Sequence, residues 1–428
     1  MKITYLIVLF IACSFAVTAQ VPVPAETQNT PIAIVHATAH LGNGKVIENA
    51  LVTFDQGKIT RVEPIGNTTP VLTGFTVIEA TGQQLYPGLI AASSRVGIQG
   101  IKAIRQSDDY QELGELTPNV RALVAYDAES EVIPTLRFNG VLMAQSTPSG
   151  SFMAGSSSVM MLDAWNWEDA VYKADDGIHV YWPSKISAPR PWMGETEPKE
   201  NLKYQSDIRE LRDYLRDVNA YSGQPVNLKL AAGQGLIDST KTLFIHVDEA
   251  QEIMNAVQIC ENAGVKRIVI VGGKDAWYVK DFLKENRIPV LLEGTHNLPS
   301  RIGEDVYMPY KLPFLLHKAG VNVGLFYSGW LYNARNLPFD AGTAAAYGLG
   351  KETALEMVSS NVAQILGIDK TCGTLEVGKD ATMVLSEGDL LDMSTNNIIK
   401  AYIQGRDIDL EGRQQELYHR YRHKYGLE

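Results

Sequence analysis

The 428-residue sequence predicts an α/β fold in two structural units, and three observations carry that reading. Short β-rich runs crowd the N-terminal part, β-branched runs alternate with helix-like stretches through the middle, and strand candidates return near the C-terminus. Near-continuous apolar strands spaced by amphipathic helices are what a parallel sheet covered on both sides requires. Periodicity alone leaves an open doubly wound sheet and a closed barrel equally admissible.

At the start of the chain, Lys2, the apolar run Ile3 to Ala12 and the small-x-small segment Val17-Thr18-Ala19 before Gln20 read as a cleaved secretory signal over 1–19. Export to a periplasm or cell envelope follows from it. The apolar run is too short for a comfortable span, and no second stretch of spanning length follows, so no integral membrane segment is expected after cleavage. Phe10-Ile11-Ala12 before Cys13 matches lipid attachment poorly, which argues against a lipoprotein. Cleavage leaves Cys260 and Cys372, no disulfide framework, so stability must come from the core.

Pro22 to Pro31 reads as an extended lead-in. Strand candidates follow at 32–37, 51–54, 59–62 and 75–78, punctuated by Asn43-Gly44 and Gln56-Gly57, where turns demand positive φ. So few strands cannot close a core alone, and Thr382 to Leu385 and Ile398 to Gln404 are the recruits. Between the two ends, strands are expected over Arg267–Val271, Ile288–Leu292 and Val321–Phe326. Helices are expected over Asp275–Glu285 and Pro309–Ala319, with one long closing helix over Thr353–Leu366.

Two regions break this rhythm. The small polar stretch from Ser146 to Ser158 suits a loop or a close backbone approach, and the proline-containing stretch from His179 to Ser206 suits either an excursion over the site or a plain surface insertion. Ile208, Leu211 and Leu215 then share a helix face. The Trp165-Asn166-Trp167 cluster reads mainly as helix packing. At the far end, Leu417, Tyr421 and Tyr425 at four-residue spacing predict a docked helix within 412–428.

Formal net charge is -11 and the charges are dispersed, which argues against a nucleic-acid partner. The serine-rich stretch holds no G-x-S-x-G nucleophile elbow, and Val271-Gly272-Gly273-Lys274-Asp275 lacks phosphate-loop spacing.

Three segments narrow the fold: Tyr86-Pro87-Gly88-Leu89-Ile90-Ala91-Ala92-Ser93-Ser94-Arg95, Phe244-Ile245-His246, and Gly373 to Ala381. They resemble the amidohydrolase superfamily, most closely its imidazolonepropionase-like exported members. The resemblance implies a (β/α)8 TIM-like barrel over 86–365 and a split β-sandwich domain built from 20–85 and 366–411. It also implies a site on the loops after the barrel strands, where a Zn-like ion polarises a carbonyl and activates water. In the family the first strand ends in Asp-x-His-x-His; here those positions are Ala91, Ser93 and Arg95. His246 matches the histidine after the fifth strand, Gly272 stands at the sixth-strand ligand position, and Leu325-Phe326-Tyr327-Ser328-Gly329 lacks the late Asp. No fourth-strand lysine equivalent is assigned.

With most of the ligands replaced, no cofactor is the first expectation; the alternative is one Zn-like divalent metal at a relocated site made from His246, Glu293 and His296. His246 reads either as a satisfied core residue or as a pocket wall oriented by Asp248. Arg95 reads as one arm of a structural salt bridge or as a carboxylate-binding cation. Arg335 and Asn336 are candidates for the mouth. The functional expectation is an exported, non-catalytic or altered binding member, taking a small-molecule ligand, a protein partner or a paralogous amidohydrolase subunit. The alternative is a metal-dependent hydrolase of non-peptide or cyclic C–N bonds.

Overall fold

A computed structural model describes residues 23–66, 70–100, 104–150, 152–187, 189, 191–299, 301, 303–327, 329 and 331–427. The expected signal segment over 1–19, with Cys13, lies outside the described residues, as do Ser151 and Ser328.

Five strands open the fold: β1 (Ile32–His40), β2 (Val46–Asp55), β3 (Lys58–Pro64), β4 (Thr76–Glu79) and β5 (Gln84–Pro87). The barrel strands are β6 (Leu89–Ser94), β7 (Val141–Ser146), β8 (Met153–Met161) and β9 (Val171–Tyr181), then β12 (Thr242–Val247), β13 (Ile268–Gly272), β14 (Val290–Glu293) and β15 (Val323–Phe326). A two-stranded ribbon, β10 (Ile186–Ser187) with β11 (Lys199–Glu200), interrupts them, and β16 (Met383–Ser386), β17 (Ile398–Ile403) and β18 (Arg406–Asp407) follow.

The chain ends are joined as expected, in one sheet of order β18-β17-β16-β5-β1-β2-β3 with β4 also on β1. In that order β17 and β2 are four strands apart, about 19 Å if the sheet were flat. Yet the rings of Tyr402 and Phe54 lie 4.9 Å apart. The sheet is therefore rolled around its own apolar face, where Ile34, Val52, Leu85, Met383 and Leu385 are buried. The expectation was a two-layered sandwich; among the described residues these strands form one continuous hydrogen-bonded sheet.

The second sheet runs β6-β7-β8-β9-β12-β13-β14-β15 and is nearly closed. Between its first and last strands lies the Met357-Val358 segment: Ile90 N donates to Val358 O at 3.0 Å, and Leu325 N to Met357 O at 2.8 Å. This wedge also explains why the expected long closing helix is broken into Lys351–Glu356 and Ser360–Leu366. Its residues must leave helical pairing to satisfy the two barrel edges.

One strand departs from the all-parallel expectation. β8 runs antiparallel to both β7 and β9, and it takes in the later part of the small polar stretch expected as a loop or a close backbone approach; the close approach is found at Gly155, which lies against the Val120 carbonyl. All nine of its residues are buried. Serine-rich backbone can occupy a barrel wall because its hydroxyls find buried partners. The C-terminal helix forms over Arg413–Tyr425 but buries none of its residues; Tyr421 and Tyr425 remain exposed, against the expectation of docking. Cys260 and Cys372 are buried and free. Among the described residues no helix is long and apolar enough to cross a membrane.

Candidate functional site

The seven parallel barrel strands all end on one side, and their ends surround a cavity of about 650 Å³. Ser93 and Arg95 come from the end of β6, Tyr181 from β9, His246 from β12, Gly272 from β13 and Glu293 from β14. Trp182, Pro183 and Ser184 line it too, so the proline-containing excursion does reach the mouth. Glu252 anchors that excursion: it accepts from Trp182 Nε1 at 2.8 Å and from the Tyr204 hydroxyl, and pairs with Lys185 at 2.7 Å. His179, expected to open the excursion, belongs instead to the barrel wall, fully buried in β9.

Arg95 has no carboxylate partner among the described residues, which corrects the salt-bridge reading. Its guanidinium lies over the Tyr110 ring, 4.2 Å from the centroid, a contact that holds the side chain without neutralising its charge. That charge is felt across the cavity. Burial, then Arg95, pushes His246 down to about 3, and burial pushes Tyr181 up to about 12 against the pull of Arg95.

His246 is neither alone nor oriented by Asp248. Asp248 pairs with Lys274 at 3.3 Å, and Lys274 also pairs with Glu293 at 3.2 Å. The partner of His246 is His179, with Nε2 and Nδ1 separated by 2.9 Å. In the parallel register of β9 and β12, Tyr181 stands beside His246 and His179 beside Phe244. The rings stack accordingly, at 4.0 Å and 4.7 Å. Just below, Gly177 faces Thr242, where any Cβ would collide with the Phe244 ring and the Thr242 carbonyl. Only glycine lets the two strands close under the histidine pair.

Beneath His179 the barrel interior is polar. His179 Nε2 lies 2.9 Å from Ser157 Oγ, which donates to Asp176 Oδ1 at 2.7 Å. Gln145 donates through Nε2 to Asp176 Oδ2 at 2.7 Å and to Ser157 at 3.1 Å, and its Oε1 accepts the Ser93 N–H at 2.9 Å. Ser93 reaches this amide at φ 45°, a left-handed conformation that a residue with a Cβ adopts at a cost. Burial raises the Asp176 carboxyl and lowers His179 well below the usual imidazole range.

No family model and no curated protein matches the sequence. Solved structures do. An amidohydrolase from Thermotoga maritima MSB8 superposes with a TM-score of 0.76 at 23% identity, covering 88% of this chain and 99% of that one. The fold is that of the amidohydrolases. A Xaa-Pro dipeptidase with methionine in its active site gives 0.54 at 12% identity over 89% and 100% of the two chains. A zinc-bound adenosine deaminase from Xanthomonas campestris gives 0.51 at 16% over 94% and 98%.

On the amidohydrolase fold, the residues at this mouth do not fit the metal that the resemblance implies. Ala91 is buried and carries no donor, Gly272 has no side chain, and Arg95 brings a fixed positive charge that opposes a cation. The relocated site fails on geometry as well. Glu293 lines the cavity but is paired with Lys274, while His296 Nε2 bonds Thr343 Oγ1 at 2.8 Å and its backbone N–H is held by Asp340. Among the described residues no three His, Cys, Asp or Glu side chains come together. Leu331 and Ala334 line the mouth, but Arg335 and Asn336 do not. The Arg335 carbonyl accepts from Asn139, and Asn336 begins the helix Leu337–Ala344.

Six residues of the site were not singled out from sequence: Tyr110, Gln145, Ser157, Asp176, His179 and Tyr181. A usable signal existed for two, His179 and Tyr181. Gly177-Ile178-His179-Val180-Tyr181 alternates with period two, which places Gly177, His179 and Tyr181 on one face of a strand.

Proposed function

We propose that this chain is an exported binding member of the amidohydrolase fold that takes a small carboxylate ligand in the mouth cavity on Arg95, without the family's metal. The unpaired guanidinium carries this reading. A fixed cation held against Tyr110 is already oriented for a planar anion, and little further order is lost on binding. The cavity is of the size that small-molecule sites occupy, which favours a small ligand over a protein partner or a paralogous subunit as the occupant of this site.

Metal analysis of protein purified without chelator, paired with calorimetric titration of aryl carboxylates, tests this. The expected outcome is no stoichiometric metal and carboxylate binding that Arg95→Gln weakens by about 10- to 100-fold, the worth of a charged hydrogen bond. Stability should fall by no more than about 1 kcal/mol, the worth of the lost contact with Tyr110, because Arg95 makes no ion pair among the described residues. Stoichiometric zinc that disappears in His246→Ala would overturn the metal-free reading in favour of a metal site on His246. Export is tested separately: protein recovered outside the cytoplasm should begin at Gln20, and recovery of the intact N-terminus would reject the signal reading.

A further inference from the structure

Hydrogen-bond donors have a sense, and in this barrel the sense can be followed from one end of a buried file to the other. Ser93 N–H occupies Gln145 Oε1, so the Gln145 amide nitrogen faces Asp176 and Ser157 as a donor. With the Asp176 carboxyl ionised, the Ser157 hydroxyl spends its one proton on Asp176 Oδ1, and its oxygen therefore receives the Nε2–H of His179. That leaves His179 Nδ1 as an acceptor, and the proton it takes is the Nε2–H of His246. The remaining ring nitrogen of His246, Nδ1, then carries a lone pair. No group among the described residues bonds it, it is not a sealed orphan, and His246 lines the cavity that Arg95 also lines.

Resting on the carboxylate reading of Arg95, we propose that His246 Nδ1 is a second, specificity-determining contact that presents an acceptor to the ligand. The ligand class is a carboxylate bearing a neighbouring O–H or N–H donor, as in a 2-hydroxy acid. Gln145, Ser157, Asp176 and His179 are positioning residues that set which way the His246 ring points its proton. The stacked rings of Tyr181 and Phe244 hold both imidazole planes in the file. A ligand lacking the donor leaves that acceptor unpaired where the ligand covers it, which is how polar pockets discriminate.

Two measurements test this. Nitrogen-15 imidazole spectra of the ligand-free protein should show His246 and His179 as neutral rings protonated at Nε2; a proton on His246 Nδ1 would overturn the proposal. Calorimetry should then show mandelate bound about tenfold more tightly than phenylacetate, its match without the hydroxyl. In Asp176→Asn, the amide offers Ser157 a donor in place of an acceptor, the file reverses, and the His246 proton should move to Nδ1 while the mandelate preference collapses towards one. Equal binding of the two acids by the unaltered protein, or binding of neither, rejects the ligand class. Acids that bind with the expected preference but are indifferent to Arg95→Gln would reject the carboxylate reading while leaving the ring assignment to stand on its spectra.

Discussion

Asp163→Ala is expected to cost about 3–5 kcal/mol of unfolding free energy, the usual consequence of removing one partner from a buried charge cluster. Asp163 accepts from Arg137 Nη1 at 2.7 Å through Oδ1, and from Arg406 Nη1 at 2.8 Å and Ala25 N at 3.0 Å through Oδ2. Its carbonyl takes Arg406 Nη2 at 2.8 Å. Four parts of the chain thus meet on one carboxylate: the lead-in, the helix Val132–Arg137, the end of β8 and β18. Arg137 is the reason the loss is large. Burial already lowers its guanidinium against the compensating pull of Asp163, and its Nε has no partner. Without the carboxylate a buried cation is left uncompensated. Urea unfolding of Asp163→Ala beside Asp163→Asn measures this, with the asparagine variant retaining part of the hydrogen bonding. A loss below about 1 kcal/mol would show that water reaches the site and that the cluster is not sealed.

The second large effect is acid sensitivity. A histidine whose folded pKa is lowered binds its proton less readily in the native state than in the unfolded chain. Its contribution is therefore fully present above the unfolded value of 6.5 and is lost as pH falls towards the folded value, about 3 for His246. His179 moves in the same direction. Between those limits His246 removes roughly 1 kcal/mol per pH unit. Asp176, raised by burial, acts with the opposite sign: it favours the native state at low pH and opposes it as pH rises through its folded pKa. The difference between the parent protein and His246→Phe isolates the histidine from the carboxylates common to both. Stability measured at pH 7, 5 and 4 should fall more steeply in the parent. Parallel curves would mean that His246 takes up its proton in the native state.

Much of the barrel was legible because covalent neighbours carry it. Tyr86 to Arg95 resembles the superfamily's first barrel strand with other residues at the ligand positions, and the structure puts Ser93 and Arg95 at the mouth. The apolar runs around residues 268–272, 290–293 and 323–326 became strands within two or three residues of expectation. β8 was misread for a physical reason. Met153–Met161 has too few large side chains to announce a buried strand, and its burial is made tolerable by Gln145, Asp176 and His179 from two other strands. His179 was missed alongside it, because its partner His246 is 67 residues away.

The residue pattern by itself determined an α/β chain of alternating strands and helices with β-rich segments at both ends, because side-chain identity and local period are carried by the chain wherever it folds. The barrel, and the reading of Ala91, Ser93, Arg95 and Gly272 as replaced ligand positions, came from the resemblance to the amidohydrolase superfamily. Only the tertiary structure decided that Arg95 meets a tyrosine face in place of a carboxylate, that Glu293 is bound to Lys274 while His296 turns away, and that His246 ends a buried polar file. Whether a charge is paired, and which way a hydrogen bond points, depends on atoms contributed by distant strands in three dimensions.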